Sequence, residues 1–344
     1  MSPPRPSLTV SFVYAAVTAA LGFPLLLRLG TAVPNDLGDP LLNTWILWWN
    51  SQAIPLTAEW WNAPAFFPAR DALAFSEHLV GLSPLTTPVI WLGGSPLLAY
   101  NITFLLTVVL SAVGAYVLTL TLTKRHDVAF FAGLAYGFAP YRMAQLAHLQ
   151  VLASFWMPLA LAALHRYVDD RRPRWLVLFA AATALQGLTN GYYLFFFPVL
   201  VGLWVLWFAP PGRRLTTAGA VGGSLAAASV VLVPFLLHYR AAHHWFRMER
   251  FSAEVGRFSA GIDDLLHAHA DLMVCGRWLR TPGGADHLFR GGTCLRVLAA
   301  AAVWARKDPG REGVARGLLP RPARLGLAIV ASLLSLVVLS RLLF

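Results

Sequence analysis

Residues 97–122 read LLAYNITFLLTVVLSAVGAYVLTLTL, without one charged side chain. A helix needs roughly 20 consecutive apolar residues to cross the ~30 Å hydrocarbon core of a bilayer, and this run exceeds that. Leu325–Phe344 is a second run of the same kind, broken by Arg341 alone. The whole chain agrees with these two stretches: 57% of its 344 residues are hydrophobic, 12% are charged, and the mean hydropathy is +0.60. Soluble domains carry about 25% charged residues. The composition therefore excludes a disordered chain, a coiled coil and a soluble enzyme. Two cysteines, Cys275 and Cys294, are too few for a disulfide scaffold, although the two could still pair. The expected fold class is all-α, a polytopic transmembrane helical bundle.

Further runs of spanning length or close to it are Leu8–Leu27, Val128–Tyr141, His148–Tyr167, Trp175–Thr189, Tyr192–Phe208 and Leu215–Leu237, with Leu288–Trp304 the weakest. Leu8–Leu27 is preceded by a single base, Arg5, and lacks a small-residue cleavage site, so it reads as an anchor rather than a cleaved signal. Leu79–Gly94 is short and carries Pro84, Pro88, Gly81, Gly93 and Gly94, which favours a re-entrant or interfacial segment. Charge arbitrates. The formal net charge of +11 comes from 27 Lys and Arg against 16 Asp and Glu. If Leu79–Gly94 does not cross, the basic connectors Lys124–Arg125, Arg171–Arg174, Arg213–Arg214 and Arg306–Arg324 share one side with Arg5, as the positive-inside rule prefers. The expectation is about nine spans in a single domain, 1–344, with the amino terminus cytoplasmic. The basic charge then sets orientation, and no nucleic-acid partner is expected.

This topology sorts the polar residues. A first exterior loop, 28–96, and a second long exterior segment, 238–287, hold most of the chemistry. Asn35-Asp36-Leu37-Gly38-Asp39-Pro40 precedes the Trp-rich run Leu41–Asn50, which reads as an amphipathic helix at the membrane interface. Pro40 suits the first helical position and Asp39 the cap before it. Asp36 is less readily explained by capping. Two carboxylates three residues apart could deprotonate an acceptor hydroxyl or hold a divalent cation. Ser76-Glu77-His78 presents an acid beside a histidine, a ligand or acid/base pair or simply a solvated helix start favoured by the helix dipole. Arg142 could snorkel to headgroups, and His148 could hydrogen-bond between helices. The histidines at 238, 243, 244, 267, 269 and 287 lack a zincin spacing, and Asp263, Asp264 and Asp271 read as a solvated helix face. Tyr192–Phe197 is an aromatic cluster of interfacial character.

An ordered series of short motifs carries a resemblance: Gly38-Asp39-Pro40-Leu41-Leu42-Asn43-Thr44-Trp45, Phe67-Pro68, Ser76-Glu77-His78, Ala99-Tyr100-Asn101, Pro140-Tyr141-Arg142 with His148-Leu149-Gln150, and Asn190-Gly191-Tyr192-Tyr193. The series resembles the amino-terminal half of bacterial GT-C-type integral membrane glycosyltransferases, and on it the chain is identified as a short or truncated member. The resemblance implies transfer of a hexosyl or pentosyl group from a polyprenyl-phosphate donor to a cell-envelope acceptor on the exterior face of the bacterial inner membrane. It implies Asp36 or Asp39 as the catalytic base, and Glu77, His78, Arg142, His148, Asn190, Tyr192 and Tyr193 as substrate-binding residues. It further implies a divalent cation, Mg or Mn, near Asp39, Glu77 and His78. The rivals are a membrane transporter or lipid flippase, and an inactive GT-C-like protein. The absence of any acid in the Tyr141–His148 turn is compatible with the latter.

Overall fold

The computed structural model describes residues 8–248, 251–253 and 256. Every regular element among them is helical. The predicted spans Leu288–Trp304 and Leu325–Phe344, both cysteines, and the polar residues from Asp263 to His287 lie outside the described residues. In chain order the α-helices are α1 (Leu8–Leu21), α2 (Phe23–Leu26), α3 (Asp39–Gln52), α4 (Ala58–Trp61), α5 (Ser83–Trp91), α6 (Pro96–Thr123) and α7 (His126–Gly137). They continue as α8 (Pro140–Ala144), α9 (Leu149–Leu152), α10 (Trp156–Asp170), α11 (Pro173–Gly187), α12 (Tyr193–Phe208) and α13 (Arg214–Phe246). Among the described residues three helical stretches are long and apolar enough to cross a membrane: Pro96–Thr123, Leu149–Asp170 and Pro211–Phe246. Leu8–Leu21 and Tyr193–Phe208 are apolar but shorter.

The chain divides into two compact units, Met1–Gly137 with Leu146–Glu249, and Phe138–Gln145 with the residues from Arg250 onward. The first contains α1–α7 and α9–α13.

The uncharged run of 97–122 forms α6, which begins where the sequence allows. Ser95 caps it by accepting a hydrogen bond from Leu98 N at 3.2 Å, and Pro96 occupies the first turn. Helices α1, α5, α7 and α10 pack against α6. Small residues set its closest approach to α7: a Cβ on Gly137 would stand 2.6 Å from that of Ala112. Close contact through small residues is how apolar helices associate when lipid offers no hydrophobic driving force.

The interior polar residues of α6 fasten the preceding loop. Asn101 Nδ2 donates to Leu29 O and to Ala32 O, both at 2.7 Å, and pins the turn after α1. Helix α5 and the 3-10 turn before it occupy the predicted re-entrant segment. Nine residues at 1.5 Å each fall well short of a bilayer core.

Helix α13 has 33 residues, ~50 Å, so its last three turns extend beyond a span of ordinary length. The first loop wraps that overhang. Trp61 stacks on His238 with ring centroids 4.4 Å apart, Trp60 meets Phe235 edge-on at 6.0 Å, and Tyr239 Oη donates to Ser76 O at 2.8 Å. Trp60 and Trp61 are fully buried and join Leu79, Leu82, Tyr100, Leu149, Leu152 and Phe235 in one core. Burying each large apolar side chain is worth ~1.5–3 kcal/mol. The loop is therefore part of the fold, and the positions of its polar residues are set by that core.

Candidate functional site

The Trp-rich stretch forms α3, but its asparagines point inward. Asn43 and Asn50, 3% and 6% exposed, lie on the buried face with Ile46 and Leu47. Asn43 Nδ2 donates to Gln150 Oε1 at 3.2 Å. Asn50 Nδ2 donates to His78 O at 2.7 Å, while its Oδ1 accepts from Trp60 Nε1 at 2.8 Å. Buried amides persist because each is satisfied in this way.

The two carboxylates at the start of α3 exchange the roles read from the sequence. Gly38, not Asp39, occupies the N-cap, and no side chain caps the helix. Asp36 supplies the local bond instead: its Oδ1 accepts from Gly38 N at 2.7 Å, an Asx-turn, and its Oδ2 accepts from Asn35 Nδ2 at 3.3 Å. Asp39, released from capping by the one-residue shift, turns its Oδ2 to within 3.2 Å of His148 Nε2. That histidine stands just before α9, 109 positions along the chain. Both side chains remain open, 46% and 39% exposed, so a molecule from outside can reach them. The contact itself contributes at most ~1 kcal/mol of stability.

One neighbour of this pair stood in the motif series, as Ala99-Tyr100-Asn101, without an assigned role. Tyr100 is fully buried, its hydroxyl lacks a hydrogen-bond partner among the described residues, and the negative fields of Asp39 and Asp36 reach it. His148 Nδ1 is likewise buried and unpaired. A carboxylate, an imidazole and a hydroxyl without a partner among the described residues thus gather at the amino-terminal end of α6.

Glu77 and His78 follow a different course. Glu77 Oε1 accepts from Gly191 N at 2.8 Å and so holds the turn between α11 and α12. Burial pushes its carboxyl up from 4.5 to about 7, against the opposing pull of that hydrogen bond. His78 is buried between Phe235 and Trp60, at ring centroid distances of 4.6 and 5.9 Å. Its Nδ1 accepts from Val80 N at 3.1 Å, and desolvation drives its pKa from 6.5 down to about 3. It is a neutral core histidine.

The turn at 190–193 is built on itself. Asn190 Oδ1 accepts from Tyr192 N at 2.8 Å, and Tyr193 Oη donates to Val151 O at 2.8 Å, while Tyr192 stays 43% exposed. Arg142 lies in α8, within the second unit, where its backbone N–H bonds to Ala139 O at 2.9 Å. Of the predicted residues, the fold therefore brings Asp39 to His148, and Glu77 to the Asn190–Tyr193 turn.

The predicted cation set does not assemble. Among the described residues no three His, Cys, Asp or Glu side chains stand at metal-binding spacing, and Asp39, Glu77 and His78 are engaged with His148, Gly191 N and Val80 N respectively. Asp39, Glu77 and His78 do not fit a shared divalent ion, because two of these three side chains are spent inside the fold.

The sequence matches no family model, and no characterised protein or solved structure is significantly similar to it.

Proposed function

We propose that this chain is an integral membrane glycosyltransferase of the GT-C type, and that Asp39 is its base. In this reading a polyprenyl-phosphate-linked sugar is the donor, a cell-envelope hydroxyl is the acceptor, and the nine-span topology puts α3 on the exterior side of a bacterial plasma membrane, amino terminus inside. The observation that carries it is the Asp39–His148 contact at 3.2 Å, an accessible carboxylate held by a histidine from a distant loop.

The chemistry is an inverting displacement. His148 Nε2 orients Asp39 through Oδ2 and leaves Oδ1 to take the proton of the acceptor hydroxyl. The acceptor oxygen forms a bond to the anomeric carbon as the bond from that carbon to the donor phosphate breaks, the electron pair leaving with the polyprenyl phosphate. The exposed Tyr192 ring is suited to line the path of the sugar or the lipid chain.

The test is sugar transfer from a polyprenyl-phosphate donor in vesicles bearing the full chain. Asp39→Asn is expected to lower the rate by ~10²–10⁴, the range of a positioned acid/base, with the membrane level unchanged. Asp36→Asn, which keeps an acceptor for Gly38 N, is expected to stay within a few-fold of the parent. Full activity of Asp39→Asn, or a tag that places residue 36 in the cytosol, would overturn the proposal.

A further inference from the structure

Helices α11, α12 and α13 converge at Gly187, where a Cβ would stand 2.6 Å from Leu194 Cδ2 and 2.8 Å from Leu232 Cδ1. Beside that contact they part, and a cleft of about 80 Å³ opens, with Thr183, Gln186, Pro198, Leu225 and Ser229 in its lining. A single water takes up ~30 Å³ of liquid, so the cleft has room for more than one. Ser229 is exposed, and so are Val199, Val230 and Val233, which adjoin lining residues in sequence. With α13 across a bilayer, that aliphatic surround turns the mouth of the cleft toward lipid.

The polar groups of the cleft are unbalanced. Gln186 Nε2 donates to Ala153 O at 3.0 Å and Thr183 Oγ1 to Phe179 O at 2.8 Å. Ser229 Oγ donates to Leu225 O at 2.9 Å and Tyr193 Oη to Val151 O at 2.8 Å. Each polar side chain of the lining thus gives a proton to a backbone carbonyl, and acceptors remain. Gln186 is 1% exposed, and its Oε1 has no hydrogen-bond partner among the described residues. The bond to Ala153 O fixes which end of that amide is the oxygen. Pro198, inside α12, has no N–H to offer the Leu194 carbonyl four residues before it. A buried acceptor left without a donor is costly, so the cleft favours a group that donates.

That donor is uncharged. No lining residue is acidic, and an ammonium set among aliphatic side chains without a counter-charge bears a heavy desolvation cost. A hydroxyl avoids that cost, gives its proton to Gln186 Oε1 and is able to accept in turn. Water offers the same donor but nothing for Phe197, Leu225 and Leu232, which line the rest of the cleft. A carbon chain attached to the hydroxyl covers them and continues through the mouth into lipid.

We infer that the cleft between α11, α12 and α13 binds the hydroxyl end of a neutral long-chain alcohol drawn from the bilayer. The inference depends on α13 crossing a membrane and is independent of the assignment of Asp39.

Photolabelling of the full chain in phosphatidylcholine nanodiscs tests it, with a diazirine-bearing long-chain alcohol as probe and peptide mass spectrometry as readout. Label is expected on 183–198 and 225–232. 1-Dodecanol should suppress it at ~10-fold lower concentration than methyl dodecyl ether, which keeps the chain but has no proton to donate. Gln186→Met removes the acceptor at similar volume and should bring the two competitors within about two-fold of each other. Should that variant fail to fold, Ser229→Leu at the exposed mouth provides the second reading, with labelling reduced several-fold. Equal competition by alcohol and ether in the parent, as a water-filled or purely apolar cleft would give, would overturn the inference. So would label confined to other segments, a folded Gln186→Met that keeps the preference, or unchanged labelling of Ser229→Leu.

Discussion

Two of the acid–histidine pairs among the described residues make an instructive contrast. Glu77 and His78 are adjacent in sequence, yet one carboxylate oxygen is bonded to Gly191 N and the histidine is buried against Phe235. Asp39 and His148 are far apart in the chain, yet they meet at 3.2 Å with both side chains open. Adjacent residues on an extended segment point to opposite sides, so sequence proximity made the first pair divergent. The second pair is brought together by α3 and α9, which the Asn43–Gln150 bond connects. One pair belongs to the architecture; the other is available for chemistry.

The largest effect should come from breaking the architectural pair. Gly81 N donates to Leu188 O at 2.9 Å, and a Cβ at Gly81 would stand 2.6 Å from Leu185 O and 2.9 Å from Thr189 N. Those are backbone atoms that cannot rotate aside. Gly81→Ala should therefore cost ~3 kcal/mol, at the upper end of overpacking. It is measured as a lower unfolding temperature in detergent, and an unchanged midpoint would show that the 77–82 segment does not seat on α11.

Nearly as large an effect is hidden by compensation. The Glu77 carboxyl is raised from 4.5 to about 7, so its contribution to stability is full below 4.5 and is lost as pH rises through 7. The His78 ring is lowered from 6.5 to about 3, so its contribution is present above 6.5 and is lost as pH falls toward 3. Between 4.5 and 6.5 the two slopes oppose each other and the parent should be nearly flat. At about 1.4 kcal/mol per pH unit, Glu77→Gln should lose on the order of 3 kcal/mol relative to the parent as pH falls across that window. Thermal melts at pH 6.5 and 4.5 give the comparison; parallel curves for parent and variant would show that Glu77 does not titrate there.

The same contrast explains what could be read from the sequence. The all-helical class, the break at Leu79–Gly94 and the position of α6 follow from hydropathy and from proline and glycine placement, which act locally. The roles of Asp36 and Asp39 depended on a helix start displaced by one residue, from Pro40 to Asp39, and composition cannot resolve that. Tyr100 and Gln150 fell within the motif series, but their partners did not show: a single polar residue in an apolar helix does not announce what it will meet. Asn43 and Asn50, seven apart, signalled a shared helix face, but that this face is buried depended on His78, Trp60 and Gln150 arriving from elsewhere.

A smaller effect probes the open pair. His148→Gln keeps a polar side chain beside Asp39 but removes the rigid ring that orients it. The rate of sugar transfer should fall about 10-fold, with KM unchanged, because the lost interaction aligns the base rather than binding donor or acceptor. A proportional rise in KM at constant kcat would instead place His148 in substrate binding.

The smallest expected effect is the most specific. Asn43 and Gln150 tie the helix that carries Asp39 to the one that follows His148, through a single 3.2 Å bond between neutral groups. Such a bond contributes ~1 kcal/mol, and removing one partner leaves the other partly buried and unsatisfied. Asn43→Ala and Gln150→Ala should each lower stability by about that much, and the double variant by little more than either alone. The coupling in that cycle, ~1 kcal/mol, separates a working tie from incidental proximity, since independent sites would simply add. If the tie also holds the Asp39–His148 spacing, both single variants should reduce kcat a few-fold and Asp36→Asn should not, because Asp36 bonds within its own turn.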